Sequence, residues 1–240
     1  MKIFWSVTVK VLTFALLAYC GIRVIFDCGY WAIPVGFLMV ISFPLCTILH
    51  ELGHMLFGAM VKIKAVPENV KQILLEWWGS SSCKIIPKTD KNLKSRIIFT
   101  TTGGLAVNFV FILLGVLALA VPAIPTGLCA LLPASFHLFA LNALPIMLDG
   151  GKTDGLVIYE LAKNEDTAKV MLAVLAVQAQ MLNGQPVDEK LLFEVPQIQE
   201  DDPSFISLTE LRYEYFKAKG DEQEAEKYAL RLEELKKEYM

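Results

Sequence analysis

Four long apolar segments alternate with short polar breaks along the first part of the chain. They cover about residues 3–26, 31–60, 97–121 and 127–148, and beyond residue 152 the sequence becomes polar and charged. A helix needs about 20 apolar residues to cross a bilayer, so each segment is long enough to be a membrane span. The pattern predicts a mainly α fold: a polytopic membrane helical bundle of about four spans with a soluble helical C-terminal tail.

The segment between the second and third spans, residues 61–95, has a different pattern. Val61–Val66 alternates apolar and polar positions like a strand, and Cys83–Ile86 is a second short strand candidate. Gly79–Ser82 supplies turn residues between them. We therefore predict a small β element here. A basic connecting loop with aromatic anchors is the alternative.

The polar tail predicts a few helices. Thr167–Leu182 is one, and Phe205–Ala218 and Glu222–Tyr239 form a terminal helical hairpin at about 205–239. Gly220 ends the first helix of the hairpin, and Asp221 with Glu224 forms a capping box for the second. We predict two domains, a membrane core over 1–151 and a cytoplasmic helical tail over 152–240. The hairpin is a candidate docking element for a regulatory protein.

Composition supports a membrane protein. The chain has 240 residues, of which 55% are hydrophobic and 20% charged, and its net charge is −3. A soluble domain is less apolar and more charged. Basic residues are not interleaved with base-stacking aromatics, so nucleic-acid binding has no support. A cleaved signal peptide is the alternative for the first segment, and we favour a retained span.

A HELGH motif lies within the second apolar segment. Residues four apart share one helix face, so His50 and His54 can bind a single metal ion, and Glu51 follows the first ligand directly. This spacing is typical of zinc hydrolases whose carboxylate deprotonates a metal-bound water. A chance match is the alternative, but ionisable residues in an apolar setting are costly without a function. Cys46, one turn earlier, is interpreted as a small buried apolar residue.

The distribution of basic residues predicts which ends and loops of the chain lie on the cytoplasmic side of the membrane. The loop after the second span carries most of the basic residues of the first half: Lys62, Lys64, Lys71, Lys84, Lys88, Lys91, Lys94 and Arg96. The positive-inside rule then predicts a multi-pass cell-membrane protein whose N-terminus, active-site loop and C-terminal tail are cytoplasmic. The second and fourth spans run in the same direction, so HELGH and Asp149 reach the same side of the bilayer.

A catalytic zinc takes three protein ligands, so a third is needed. Asp149 is the best candidate by depth and direction, and a helix-ending Asp-Gly-Gly turn is the alternative. Asn142 lies two turns earlier on nearly the same face, where it can donate to a substrate carbonyl or serve helix packing. His137 is rotated off that face and is interpreted as structural.

Together these motifs resemble the site-2 proteases, the intramembrane zinc metalloproteases. The resemblance rests on His50–His54 with Asn142–Gly150, which matches the family's HExxH and NxxPxxLDG pair, and it covers about Trp31 to Gly151. Gly103-Gly104 with Asn108 is similar to a third family motif, although Gly104 stands where proline is common. No PDZ or CBS domain is recognisable, so the chain resembles a short form.

The resemblance implies zinc bound by His50, His54 and Asp149, with Glu51 as general base and with Asn142 and Asn108 near the substrate. The expected activity is that of a zinc metalloendopeptidase, which hydrolyses a peptide bond in or near a transmembrane segment of a membrane-anchored regulator, precursor or remnant signal peptide. This is regulated intramembrane proteolysis, with a membrane protein or peptide as substrate. A zinc-binding, non-proteolytic membrane adaptor is the alternative.

Overall fold

The computed structural model describes residues 2–68, 82–148 and 151–239 and is mainly helical. Its first part contains α1 (Lys2–Cys28), α2 (Ala32–Met60), α3 (Leu93–Ala120) and α4 (Leu132–Ala143). Short 3₁₀ turns at Gly29–Trp31 and Thr126–Leu131 precede α2 and α4. Helices α1 and α2 begin and end within two residues of the predicted first and second segments, α3 begins four residues before the third, and α4 covers only the middle of the fourth.

Three helical runs are long and apolar enough to span a membrane. They are Phe4–Met60, which contains both α1 and α2, then Leu93–Ala120 and Thr126–Ala143. Large apolar side chains on these runs are exposed, including Phe26 at 80%, Ile33 at 83% and Phe37 at 67%. A water-facing surface would not carry so much apolar area, whereas lipid would cover it. The chain therefore has the features of a membrane protein, and the four-span count stays a prediction.

The helices of this part pack through an apolar core and through small residues. Cys20, Met39, Cys129 and Leu132 lie in one cluster that joins α1, α2, the second 3₁₀ turn and α4. Between α2 and α3 the backbones approach closely, because a Cβ on Gly53 would lie 2.5 Å from the Gly103 carbonyl oxygen. The glycines of the HELGH and Gly103-Gly104 motifs thus allow α3 to lie directly against the metal-binding motif.

The predicted β element is present. Strands β1 (Ile63–Glu68) and β2 (Ser82–Pro87) pair in a two-stranded sheet, and the predicted Gly79–Ser82 turn lies almost wholly outside the described residues. Arg96 holds the chain that leads into β1, since its guanidinium donates to the carbonyls of Val61 and Lys62, each at 2.6 Å.

The sequence pattern predicted that the fourth apolar segment is helical as far as Leu148, and this prediction was wrong. Helix α4 ends at Ala143, and Leu144 is extended with φ −73° and ψ 135°. The cause is Pro145, because a proline disfavours helical geometry in the residue before it. Met147–Leu148 then forms β3, which pairs antiparallel with β4, Gly151–Lys152.

The tail begins with α5 (Asp154–Lys163), which the sequence pattern did not predict. It continues with α6 (Asp166–Leu182), the short α7 (Glu189–Phe193), α8 (Pro203–Lys219) and α9 (Glu222–Tyr239). The three predicted tail helices are thus present, and each end lies within two residues of its predicted position.

Local signals in the tail act as predicted. Gly220 ends α8 in a left-handed conformation with φ 76°, and the Glu224 amide donates to the Asp221 carboxylate at 3.2 Å. The core of the tail joins Val170, Val174 and Val177 of α6 to Leu208 and Leu211 of α8.

The described chain divides into two compact units. The first contains the described residues of Met1–Met60, Ala65–Lys84 and Phe99–Ile158, and the second those of Val61–Lys64, Ile85–Ile98 and Tyr159–Met240. The predicted boundary at residue 151 stays a prediction. The side chains discussed next all belong to the first unit.

Candidate metal centre

Helix α2 presents three ionisable side chains together. His50, Glu51 and His54 are 3%, 3% and 6% exposed, and their ligand atoms all lie within 4.8 Å of one another. The helical repeat places His50 and His54 one turn apart on one face, as the sequence predicts. This group could hold a metal ion.

The two imidazoles direct the same ring atom toward a common point. The Nε2 atoms of His50 and His54 are 3.1 Å apart, and the rings are nearly perpendicular with centroids 4.7 Å apart. Two nitrogens so close cannot both present bare lone pairs without repulsion. A cation between them, or a shared proton, removes that repulsion.

The other ring nitrogens are bound by α3. His54 Nδ1 lies 3.0 Å from the Thr100 carbonyl oxygen, which can only accept, so Nδ1 carries the proton and donates. The tautomer of His54 is thereby set, with Nε2 unprotonated and suited to bind metal. The backbone of α3 therefore fixes both the orientation and the protonation of one ligand.

Asn108 contacts the corresponding ring nitrogen of His50. Its Nδ2 lies 2.8 Å from His50 Nδ1, and Asn108 is fully buried with its Oδ1 lacking a hydrogen-bond partner. An amide turned by 180° would place Oδ1 on the Nδ1 proton and leave Nε2 bare, as metal binding requires. With the amide turned in this way, Asn108 would accept from His50 as Thr100 accepts from His54, and both Nε2 atoms could bind a cation. Asn108, predicted near the substrate, instead contacts a candidate metal ligand.

Gly104 leaves the space that the imidazoles occupy. A Cβ at this position would lie 2.5 Å from His54 Nε2 and 2.6 Å from His50 Nε2. Any side chain here would displace both rings. The Gly103-Gly104 pair therefore serves two purposes, close helix approach at Gly103 and room for the ligand pair at Gly104.

Asp154 brings a carboxylate to the two histidines. Its Oδ2 lies 3.2 Å from His50 Nε2 and 3.5 Å from His54 Nε2, and this oxygen is buried without a hydrogen-bond partner. Burial acts to raise the pKa of Asp154, but the neighbouring imidazoles outweigh it, so the pKa is lowered. The group is therefore an anionic carboxylate with an oxygen directed at the point where both Nε2 atoms converge.

The loop before α5 holds Asp154 in place. The Thr153 hydroxyl, which is 3% exposed overall, contacts the carbonyls of Leu144 and Ile146 and the amide of Leu156. A Cβ on Gly155 would overlap the carbonyl of Ala143, so only glycine lets α5 begin this close to the end of α4. The hydrogen bonds of Thr153 and the close approach at Gly155 thus fix the position at which α5 begins.

Sequence reasoning missed Asp154 and chose Asp149. Asp149 lies outside the described residues, so its predicted role as a ligand stays a prediction. A signal for Asp154 was available, because Asp154-Gly155 repeats the Asp-Gly pair of Asp149-Gly150 and stands at the start of a new helix. Depth in the membrane favoured Asp149, and the return of the chain after Pro145 was not foreseen.

Glu51 has a neighbour from the β element. The Cys83 thiol donates to Glu51 Oε2 with a distance of 2.7 Å between sulfur and oxygen. Cys83 lies on β2, so this strand reaches the carboxylate beside the histidine pair. No motif marked Cys83, and only the folded strand reveals its position.

The remaining candidates have hydrogen-bond partners apart from the histidine pair. Asn142 Nδ2 donates to the Leu138 carbonyl of its own helix at 3.0 Å, and its role in substrate binding stays a prediction. His137 is buried, and its Nδ1 lies 3.1 Å from the Thr13 hydroxyl, which agrees with a structural role. Cys46 is fully buried and accepts from the Ser135 hydroxyl at 3.3 Å.

Comparison with known proteins returns no family model, no curated protein and no solved structure that matches this chain. The case for a function therefore rests on the geometry of the residues themselves.

Proposed function

We propose that the chain is a membrane-embedded zinc endopeptidase of the site-2 protease type. The observation that carries the proposal is the convergence of His50, His54 and Asp154 beside Glu51. Two imidazoles, one carboxylate and an adjacent second carboxylate form the ligand and base set of a hydrolytic zinc site. The apolar helices that carry this set support a substrate that lies in the membrane.

The distances fit zinc. Ligand atoms about 2.0–2.1 Å from a tetrahedral zinc ion lie about 3.3 Å from each other. The three ligand-to-ligand distances are 3.1, 3.2 and 3.5 Å. A set of three protein ligands leaves one position for water, as in catalytic rather than structural zinc sites.

Glu51 has the position of a general base. Zinc, when bound, supplies Lewis acidity that makes water a nucleophile at neutral pH. Glu51 accepts the proton of the attacking water on a carboxylate oxygen and later delivers it to the leaving amine, so no proton has to come from bulk solvent. Its burial among apolar helices keeps the carboxylate from being solvated by competing water.

The metal ligands are held by neighbours that do not react. Thr100 and Asn108 orient the imidazoles, and Thr153, the residue before Asp154, fastens the start of α5 to the carbonyl of Leu144. Loss of such an outer contact typically lowers metal affinity about 10- to 100-fold. An edge of the β1–β2 sheet is a candidate place for an unwound substrate segment to add as a strand, which would satisfy its backbone groups.

The proposal is tested by Glu51→Gln in the full chain. The amide keeps the size of the side chain but cannot accept the proton, so we expect zinc content to be retained and cleavage of a co-expressed membrane protein to fall at least about a hundredfold. Glu165→Gln is the matched control, because Glu165 is exposed at the start of α6. Comparing membrane peptides from cells with the wild-type chain and with Glu51→Gln would identify the substrate.

Equal cleavage by wild type and Glu51→Gln would refute the assigned base. Bound zinc with no difference between the two peptide sets would favour the other candidate, a zinc-binding membrane adaptor without proteolytic activity. The cytoplasmic orientation and a regulatory partner at the α8–α9 hairpin remain part of the proposal.

A further inference from the structure

As the proposed base, the buried Glu51 carboxylate needs contacts that fix its orientation. It is 3% exposed and lies on α2 near two imidazoles whose Nδ1 atoms are already bound to Thr100 and Asn108. A carboxylate that must collect a proton from one defined water needs a fixed side-chain rotamer, because a misplacement of about 1 Å can cost about a hundredfold in rate. A donor from outside the helix is one way to fix it.

The structure supplies such a donor in Cys83. Its Sγ lies 2.7 Å from Glu51 Oε2, and the contact joins β2 to α2 across 32 residues of sequence. The thiol thereby holds one oxygen of the carboxylate, Oε2. Because β2 is paired with β1, Cys83 lies on a strand whose place is set by the sheet.

We propose that Cys83 is a positioning residue for the proposed proteolysis: its thiol donates to Glu51 Oε2 and holds the carboxylate in the rotamer that receives the proton of the attacking water. The inference rests on the proposed function, since it concerns the base of that reaction. It adds a residue of the β element to the catalytic site and makes that site sensitive to thiol chemistry.

A covalent change at Cys83 should act on the reaction directly. Methyl methanethiosulfonate transfers a methylthio group to the thiol, forming a disulfide and releasing methanesulfinic acid, and the thiol proton is lost in the exchange. The modified sulfur has no hydrogen to donate, and it carries added bulk at a contact of 2.7 Å. Dithiothreitol reduces the mixed disulfide and restores the donor.

The kinetic test uses the full chain in detergent with zinc and a quenched fluorescent transmembrane peptide of about 20 leucine and alanine residues. We expect Cys83→Ala to lower kcat roughly tenfold, the effect of losing one hydrogen bond to a charged group, with KM changed less than about twofold. Cys83→Ser keeps a donor and should recover most of kcat. The methylthio reagent should inactivate the wild type reversibly and leave Cys83→Ser unaffected.

A second measurement needs no activity. In Glu51→Cys, dibromobimane should bridge the new thiol to Cys83, and peptide mass spectrometry should identify that pair. Leu52→Cys is the matched control, because Leu52 is the next residue on α2 and is 47% exposed. The bridge should also disappear in the Glu51→Cys, Cys83→Ala double variant.

Each outcome bears on the inference. Unchanged or increased kcat in Cys83→Ala would overturn it, and an increase would mean that β2 restrains the base. Failure of the bimane bridge would overturn the contact itself, even if the wild type cleaves the peptide. A zinc-loaded wild type that cleaves no membrane peptide would instead remove the proposed proteolysis, and the positioning role with it.

Discussion

The Asp154 carboxylate lies 3.2 Å from the Nε2 atom of His50, so the start of α5 meets the distal part of α2. This contact completes a set of three candidate ligands, and the chain after α4 supplies the third of them. Among the described residues, the carboxylate that would otherwise lie beside the two imidazoles is that of Glu51. The sequence favoured Asp149 as the third ligand, and that residue lies outside the described residues, so an experiment has to choose between the two aspartates.

We therefore expect Asp154→Asn to lose most of its zinc while Asp149→Asn keeps it. The amide is nearly isosteric with the carboxylate but lacks the charge, so the change tests ligation rather than packing. Zinc per chain, measured by inductively coupled plasma mass spectrometry after purification in detergent, provides the comparison. Normal zinc in Asp154→Asn combined with loss in Asp149→Asn would restore the assignment made from the sequence.

Gly104 offers a steric test of the same centre. Because a Cβ there would lie within 2.6 Å of both Nε2 atoms, Gly104→Ala should displace the rings and abolish zinc binding. Gly21→Ala is the matched control, since a Cβ at Gly21 meets nothing within 4 Å. Exchanging glycine for alanine in an exposed helix stabilises it by about 0.5–1 kcal/mol, so the control should bind zinc and unfold no more easily than the wild type.

A Gly104→Ala chain with full zinc occupancy would mean that the imidazoles do not converge beneath α3. The experiment is independent of any substrate. It is read from zinc content and from the thermal unfolding midpoint of the purified protein.

Asn108 tests how His50 is oriented. Asn108→Ala removes the partner of His50 Nδ1 and should weaken zinc binding about 10- to 100-fold, as loss of an outer contact to a ligand commonly does. Asn108→Asp supplies only acceptor oxygens, so it should retain affinity if Asn108 accepts from the Nδ1 proton. Competition with a fluorescent zinc chelator measures both affinities. Weak binding in Asn108→Asp with normal binding in Asn108→Ala would show that His50 does not use Nε2.

The sequence was sufficient to group His50, Glu51 and His54, because a helical repeat alone brings residues four apart to one face. It was also sufficient for the tail helices, where Gly220 and Asp221 end one helix and begin the next with local chemistry. These predictions depend on residues close in sequence.

Asp154 and Cys83 could not be found in that way. Two Asp-Gly pairs follow α4, and the choice between them depends on how Pro145 ends the helix and how Thr153 fastens the returning loop. Cys83 reaches Glu51 only because β2 pairs with β1. Contacts set by the path of the chain between distant elements leave no periodic pattern, so they had to be observed.

The tail core allows a last prediction that is separate from the metal centre. Leu208 is 2% exposed and packs with Val170, Val174 and Val177, so α8 and α6 share one apolar interface. Leu208→Ala leaves a cavity there and should destabilise the tail by about 2–5 kcal/mol. Leu230→Ala on α9 is the matched control, since Leu230 is 58% exposed and its truncation should cost less than about 0.5 kcal/mol. Hydrogen–deuterium exchange of the full chain should show faster exchange across α6 and α8 in Leu208→Ala alone, and equal exchange in both variants would contradict this packing.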